Sequence, residues 1–109
     1  MERESNMMLS EQFRIVAKKW VEADNAATLL EETKSAFLNQ LMLNQGDMAV
    51  SKAEMIVKGS PDWTEYVTKM VEARKQANLL KVQLEYIRMK FYEWQSHNAN
   101  RRAEMKLHD

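Results

Sequence analysis

Both glycines and the only proline of this chain lie between positions 46 and 61, and this placement constrains the fold more than any other feature. Gly and Pro are the residues that most often interrupt helices, so the segments before Gly46 and after Pro61 can each run without a break. An average chain would contain roughly 7% glycine, well above the amount found in this one. The sequence therefore predicts long helices rather than short strands joined by turns.

The first segment has apolar residues in alternating steps of three and four. The series runs through Leu9, Phe13, Val16, Trp20, Ala23, Ala27, Leu30, Phe37 and Leu41, with Lys34 and Asn44 in the same register. This spacing is that of a heptad seam and predicts a helix over residues 10–44. Ser10 is the predicted N-cap, and Gly46 is predicted to adopt the left-handed conformation that ends such a helix.

The second segment repeats the pattern without a polar interruption. Its series is Trp63, Tyr66, Met70, Ala73, Ala77, Leu80, Leu84, Ile87, Phe91 and Trp94. Ser60 is the predicted N-cap, followed by Pro61 at the first helical position and Asp62 in the first turn, where a negative charge is favourable. We predict a helix over residues 61–107, with the seam ending near Trp94 and a polar overhang after residue 95.

The segment between the two long helices is predicted to form a short helix over residues 47–58. Ser51-Lys52-Ala53-Glu54 fits a capping box, and Met48, Met55, Ile56 and Val57 are expected to provide apolar contacts. The alternative is an ordered loop held by its methionines.

The two seams match each other when the chain is folded back on itself. Leu41 then faces Trp63, Ala27 faces Ala77, and Leu9 faces Trp94, whereas a parallel pair would need a long return connection. The predicted fold class is all-α, an antiparallel, coiled-coil-like hairpin of two long helices with a short helix at the turn. We expect residues 1–109 to form one helical domain that assembles into a helical-bundle dimer.

The second long helix carries another apolar stripe on the side opposite its seam. Leu79, Val82, Tyr86 and Met89 continue the spacing of three and four, and Val71 and Tyr92 flank them. A helix that is apolar on two sides is usually covered on both. The stripe is therefore predicted to be a self-association face or a partner face, with a homodimer favoured. The alternative is that these side chains are ordinary exposed apolar residues.

Composition excludes several classes of function. Sixteen basic and sixteen acidic residues cancel, and there is no cysteine for a disulfide, a thiolate metal site or thiol chemistry. His97 and His108 are not in metal-binding spacing, and two glycines cannot form a phosphate-binding loop. We expect no enzyme, cofactor, metal or membrane contact, and a cytoplasmic protein, because residues 1–6 do not resemble a signal peptide.

Nucleic acid is a second class of partner for the end of the chain. Arg101, Arg102 and Lys106 are the candidate phosphate contacts in the polar overhang. Residues 60–109 carry nine Lys and Arg against seven Asp and Glu, a small excess. Cations near a helix C-terminus are equally explained by the helix dipole, so nucleic-acid binding is not favoured at this point.

The last forty or so residues resemble small helical proteins of bacteriophages and prophages. The resemblance rests on Val71–Asn78, on Glu85–Met89 and on Ala99–Met105. It implies a phage-encoded protein, some members of the group being encoded near recombination or replication genes, and gives no residue a role.

The sequence as a whole indicates a non-enzymatic protein–protein interaction module, in the phage setting an accessory or host-interfering protein. The alternatives are a nucleic-acid-binding accessory protein in phage recombination or replication, and an assembly or scaffolding factor.

Overall fold

A computed structural model describes residues 8–108 of the chain, for His108 the backbone alone. Over this range the structure is entirely helical apart from the connecting turns. The helices are α1 (Leu9–Leu43), α2 (Val50–Lys58) and α3 (Pro61–His108). The all-α class is thus confirmed, and the two long helices lie within one residue of their predicted bounds at each end.

Only α3 begins at the N-cap that the sequence predicts. Ser60 is the N-cap, because its Oγ accepts a hydrogen bond from the Trp63 N–H at 3.4 Å. The predicted cap at Ser10 is wrong: α1 begins at Leu9, and the Met8 carbonyl accepts from the Glu11 and Gln12 amides, each at 3.0 Å. The first turn forms one residue earlier, so Ser10 lies inside it.

The start of α2 also corrects a prediction. The helix begins at Val50 rather than near residue 47, with Ala49 as its N-cap and no side-chain hydrogen bond there. The capping box at Ser51 is therefore absent, because Ser51 already lies within the first turn. Ala53 and Val57 are buried, whereas Met55 is 71% exposed, so Met55 provides little of the apolar contact expected of it. Gly46 has the predicted positive φ, at 85°.

The described residues fall into two compact units. Unit 1 comprises Met8, residues 9–20 of α1 and residues 79–108 of α3, and unit 2 is Val21–Asn78. In unit 1 the core is a cluster of Val16, Leu84 and Ile87, all under 9% exposed. The side chains packed around this cluster are Phe13, Ala17, Trp20 and Leu80.

Unit 2 has a core of small and aromatic side chains. Ala27 and Ala77 are fully buried, and Trp63 is nearly so. Phe37 stacks against Tyr66 with ring centroids 4.5 Å apart, and the Tyr66 hydroxyl donates a hydrogen bond to the Leu30 carbonyl. Residues of the two predicted seams therefore meet inside this unit, as burial of both apolar stripes requires.

The end of the predicted seam differs from expectation. Phe91 is 40% exposed and Trp94 is 56% exposed, so Trp94 is not buried against Leu9. The physical reason is that α1 begins at Leu9, which leaves no α1 residue of the described chain beyond that level. Burial along the seam ends at Ile87.

Candidate functional site

The apolar stripe opposite the seam forms an exposed surface of unit 1, called the outer face here and consisting of Leu79, Val82, Tyr86 and Met89. Their exposed fractions are 54%, 61%, 58% and 59%. Helical spacing places them on the side of α3 away from Leu84, over about 15 Å of helix. Together they form a contiguous apolar surface on the single chain.

The outer face is not flat around Tyr86. Lys90 Nζ lies 5.4 Å from the centroid of the Tyr86 ring, a cation–π contact that covers one side of it. On the other side, Tyr86 and Ile87 of α3 line a cleft of about 250 Å³ with Ile15 and Lys19 of α1. The surface therefore offers a tyrosine ring beside a recess large enough for another side chain.

The two flanking residues of the predicted stripe are exposed too. Tyr92, 57% exposed, belongs to unit 1 and sits beside the outer face. Val71, 59% exposed, belongs to unit 2. The outer face of unit 1 is thus formed without Val71.

A second cleft in unit 1 is lined by aromatic side chains. It has a volume of about 350 Å³ and is bounded by Leu9, Phe13, Ile87, Arg88, Phe91 and Tyr92. The Arg88 guanidinium lies 5.8 Å from the centroid of the Phe13 ring, which places a cation at a mostly apolar opening that Ser10 also lines. Pattern reasoning missed this cleft because it assumed that Phe13 and Phe91 fill the seam between them.

The candidate nucleic-acid contacts lie at the far end of α3. Arg101, Arg102 and Lys106 are all exposed, and none forms an ion pair within residues 8–107. His97 is exposed as well, while the His108 side chain and residues 1–7 lie outside the described part of the chain. Among the described residues, no group of three or more His, Asp or Glu side chains could hold a metal ion.

Unit 2 contains a polar cluster that the sequence reasoning did not identify. The Arg74 guanidinium donates hydrogen bonds to both Glu31 oxygens, at 2.9 and 2.7 Å, to Asp24 Oδ1 at 2.7 Å and to Thr28 Oγ1 at 3.2 Å. The hydrogen bonds from Arg74 hold the pKa of Glu31 below its ordinary value, and the same contacts raise the pKa of Arg74. The cluster fixes α1 against α3 within this unit.

We expect the Arg74 cluster to give a small, pH-dependent stabilisation. Because the pKa of Glu31 is lowered in the folded state, its contribution is present above the unfolded carboxyl pKa of about 4.3 and is lost as the pH falls through the folded value. Arg74→Met should lower the thermal midpoint at pH 7 and cost progressively less below about pH 4. Thermal denaturation followed by circular dichroism measures both.

The neighbouring Lys75→Met is the matched control, because it removes the same charge from an exposed residue outside the cluster. Equal thermal midpoints for the two variants at pH 7 would show that the hydrogen bonds of the cluster add no stability, and that only the loss of one positive charge matters.

Comparison with protein-family models, curated proteins and solved structures finds no match. No helix in the described part of the chain is both long and apolar enough to cross a membrane.

Proposed function

We propose that this protein is a non-enzymatic protein-binding module that forms a homodimer through its outer face. The observation that carries the proposal is the exposure of Leu79, Val82, Tyr86 and Met89, each more than half accessible on the single chain. Burying a large apolar side chain contributes roughly 1.5–3 kcal/mol, and a small domain has only about 5–15 kcal/mol of stability in total. A partner that covers this face therefore adds substantially to the stability of the folded protein.

The size of the face suits a small dimer. With Tyr92 at its edge, five large side chains each expose on the order of 100 Å², which gives roughly 1,000 Å² for two copies. That is about the lower limit for a specific interface. Neighbouring side chains and the cleft beside Tyr86 add to the area that association can bury.

A second copy is the occupant that best fits the pattern of the face. Its four members are all uncharged and Lys90 lies against the Tyr86 ring at the edge of the face, so the surface best matches another largely apolar surface. The order Leu79, Val82, Tyr86, Met89 is also symmetric about the level of Leu84. A twofold axis at that level pairs Val82 with Tyr86 of the other copy, and Leu79 with Met89, as an isologous contact requires.

We also propose that α1 and α3 of each chain form an antiparallel hairpin, so that two copies make a helical bundle. The contacts inside each unit support this arrangement: Val16 clusters with Leu84 and Ile87 in one, and Phe37 stacks on Tyr66 in the other. The resemblance to phage and prophage proteins favours an accessory or host-interfering role for this module. A scaffolding factor would need the same self-association.

Tyr86→Glu tests the dimer. In the proposed interface the change buries an unpaired charge from each copy, so we expect association to weaken by about a thousandfold or more. Sedimentation equilibrium should give twice 12.8 kDa for the natural chain and 12.8 kDa for the variant. Helicity should be unchanged, because Tyr86 is 58% exposed and outside the core cluster.

Tyr86→Phe is the matched control, since it keeps the aromatic ring and removes only the hydroxyl. We expect this variant to remain dimeric. A natural chain that sediments as a monomer at high micromolar concentration, or a Tyr86→Glu variant that keeps the dimer mass, would refute self-association through the outer face.

A further inference from the structure

The division of the chain into units separates a basic unit from an acidic one. The segments 1–20 and 79–109, which unit 1 takes in, carry ten Lys and Arg against seven Asp and Glu, a net charge of +3. Val21–Asn78 carries six against nine, a net charge of −3. Unit 1 combines both ends of the chain, with a net charge of +1 from residues 1–20 and +2 from residues 79–109.

The basic unit also carries exposed aromatic rings. Phe91 and Trp94 are 40% and 56% exposed, and their rings stack at 24° with centroids 6.1 Å apart. Tyr92, also exposed, lies 6.1 Å from Phe91, centroid to centroid. Next to Phe91 is the 350 Å³ cleft, with Arg88 at its opening. Neighbouring exposed rings form an apolar patch of the kind that marks an interaction site.

The cations continue along α3 beyond the rings. Arg101 and Arg102 follow Trp94 by two helical turns, about 10 Å along the axis. Neither forms an ion pair within residues 8–107, so both guanidinium groups are available to an external anion. The surface thus alternates aromatic and cationic groups: Arg88, then the Phe91–Trp94 ring pair, then Arg101 and Arg102.

We infer that this surface of unit 1 binds single-stranded nucleic acid. Bases would stack on Phe91 and Trp94, and phosphates would pair with Arg101, Arg102 and Arg88, the combination that single-strand binding surfaces use. A duplex fits less well, because its bases are already stacked on one another and cannot cover the rings. An acidic protein would satisfy the cations but leave the rings exposed. The inference does not depend on the proposed dimer, because Phe91, Trp94 and Arg101 lie on another side of α3 from the outer face, and Tyr92 borders both surfaces.

The test is fluorescence anisotropy of a labelled twenty-nucleotide oligothymidine titrated with the full chain at several salt concentrations. We expect Trp94→Ala to weaken binding about tenfold or more, whereas Trp94→Phe, which keeps a ring, should bind nearly as the natural chain does. The double variant Arg101→Gln/Arg102→Gln should lower the slope of log K against log salt by about 1.4, as expected for two lost contacts with a single strand.

The charge-matched control is Lys52→Gln/Lys75→Gln, which removes two exposed cations from unit 2 and should leave binding nearly unchanged. An oligouridine of the same length distinguishes RNA from DNA as the preferred strand, and binding to either supports the inference. Absence of binding to both strands at low salt would overturn it. So would a duplex or polyglutamate that binds more tightly than either strand, or a Trp94→Ala variant that binds as the natural chain does.

Discussion

Leu84→Glu is expected to unfold unit 1. Leu84 is 8% exposed and packs with Val16 and Ile87, so the variant loses the burial of one large side chain and places a carboxylate among apolar groups. The lost burial costs roughly 1.5–3 kcal/mol and an uncompensated buried charge about 3–5 kcal/mol. Their sum is comparable to the whole stability of a small domain. Hydrogen exchange measured by mass spectrometry should show loss of protection in residues 9–20 and 79–92.

Val82→Glu is the control for this substitution. It introduces the same charge into the same helix, two residues away, at a position that is 61% exposed. We expect this variant to keep its helical signal and its exchange protection in the monomer. Similar loss of protection in the two variants would mean that the Val16 cluster is not the core of unit 1.

The helices were predictable because the signals that define them are local. The positions of Gly46, Gly59 and Pro61 leave two uninterrupted segments, and steps of three and four assign an apolar stripe to each. Caps were less predictable. Ser60 is followed by a proline that is preorganised for the first helical position, which fixes the start of α3. Ser10 and Ser51 lack such a neighbour, and both lie inside a first turn instead.

Periodicity alone could not show where burial ends. Trp94 continues the seam of α3 in perfect register, yet it is 56% exposed, because burial depends on what the opposite helix provides at that level. The same limitation concealed the cleft at Phe13 and Phe91. A spacing pattern identifies one side of a helix but carries no information about the length of its partner.

The Arg74 cluster does have a signal in the sequence. In the heptad register Arg74 occupies a position beside the seam, as do Asp24 and Glu31 on α1. Opposite charges at such flanking positions are typical of paired helices. The net charges of the two units have no comparable local signal, because they depend on which chain segments fold together. They could be calculated only after the units were known.

Cysteines introduced at positions 27 and 77 should form a disulfide within one chain. Ala27 and Ala77 are both fully buried in unit 2. Arg74, one helical turn before Ala77, bonds Asp24 and Thr28, which lie on either side of Ala27. Two small residues at such a contact allow helices to approach closely, within the roughly 7 Å between Cα atoms that a disulfide needs. In the chain-entropy model a bridge closing this loop adds about 4 kcal/mol to the stability.

The chain has no cysteine of its own, so the product can be assigned without ambiguity. Non-reducing mass spectrometry of the oxidised variant should give the intrachain bridge at the monomer mass, with a thermal midpoint well above that of the reduced form. The matched control has cysteines at positions 27 and 78, because Asn78 is exposed and lies on a different side of α3 from the buried Ala77. This control should stay unbridged under the same conditions. A bridge found only between chains would instead show that α1 of one copy pairs with α3 of another, and the hairpin within each chain would then be wrong.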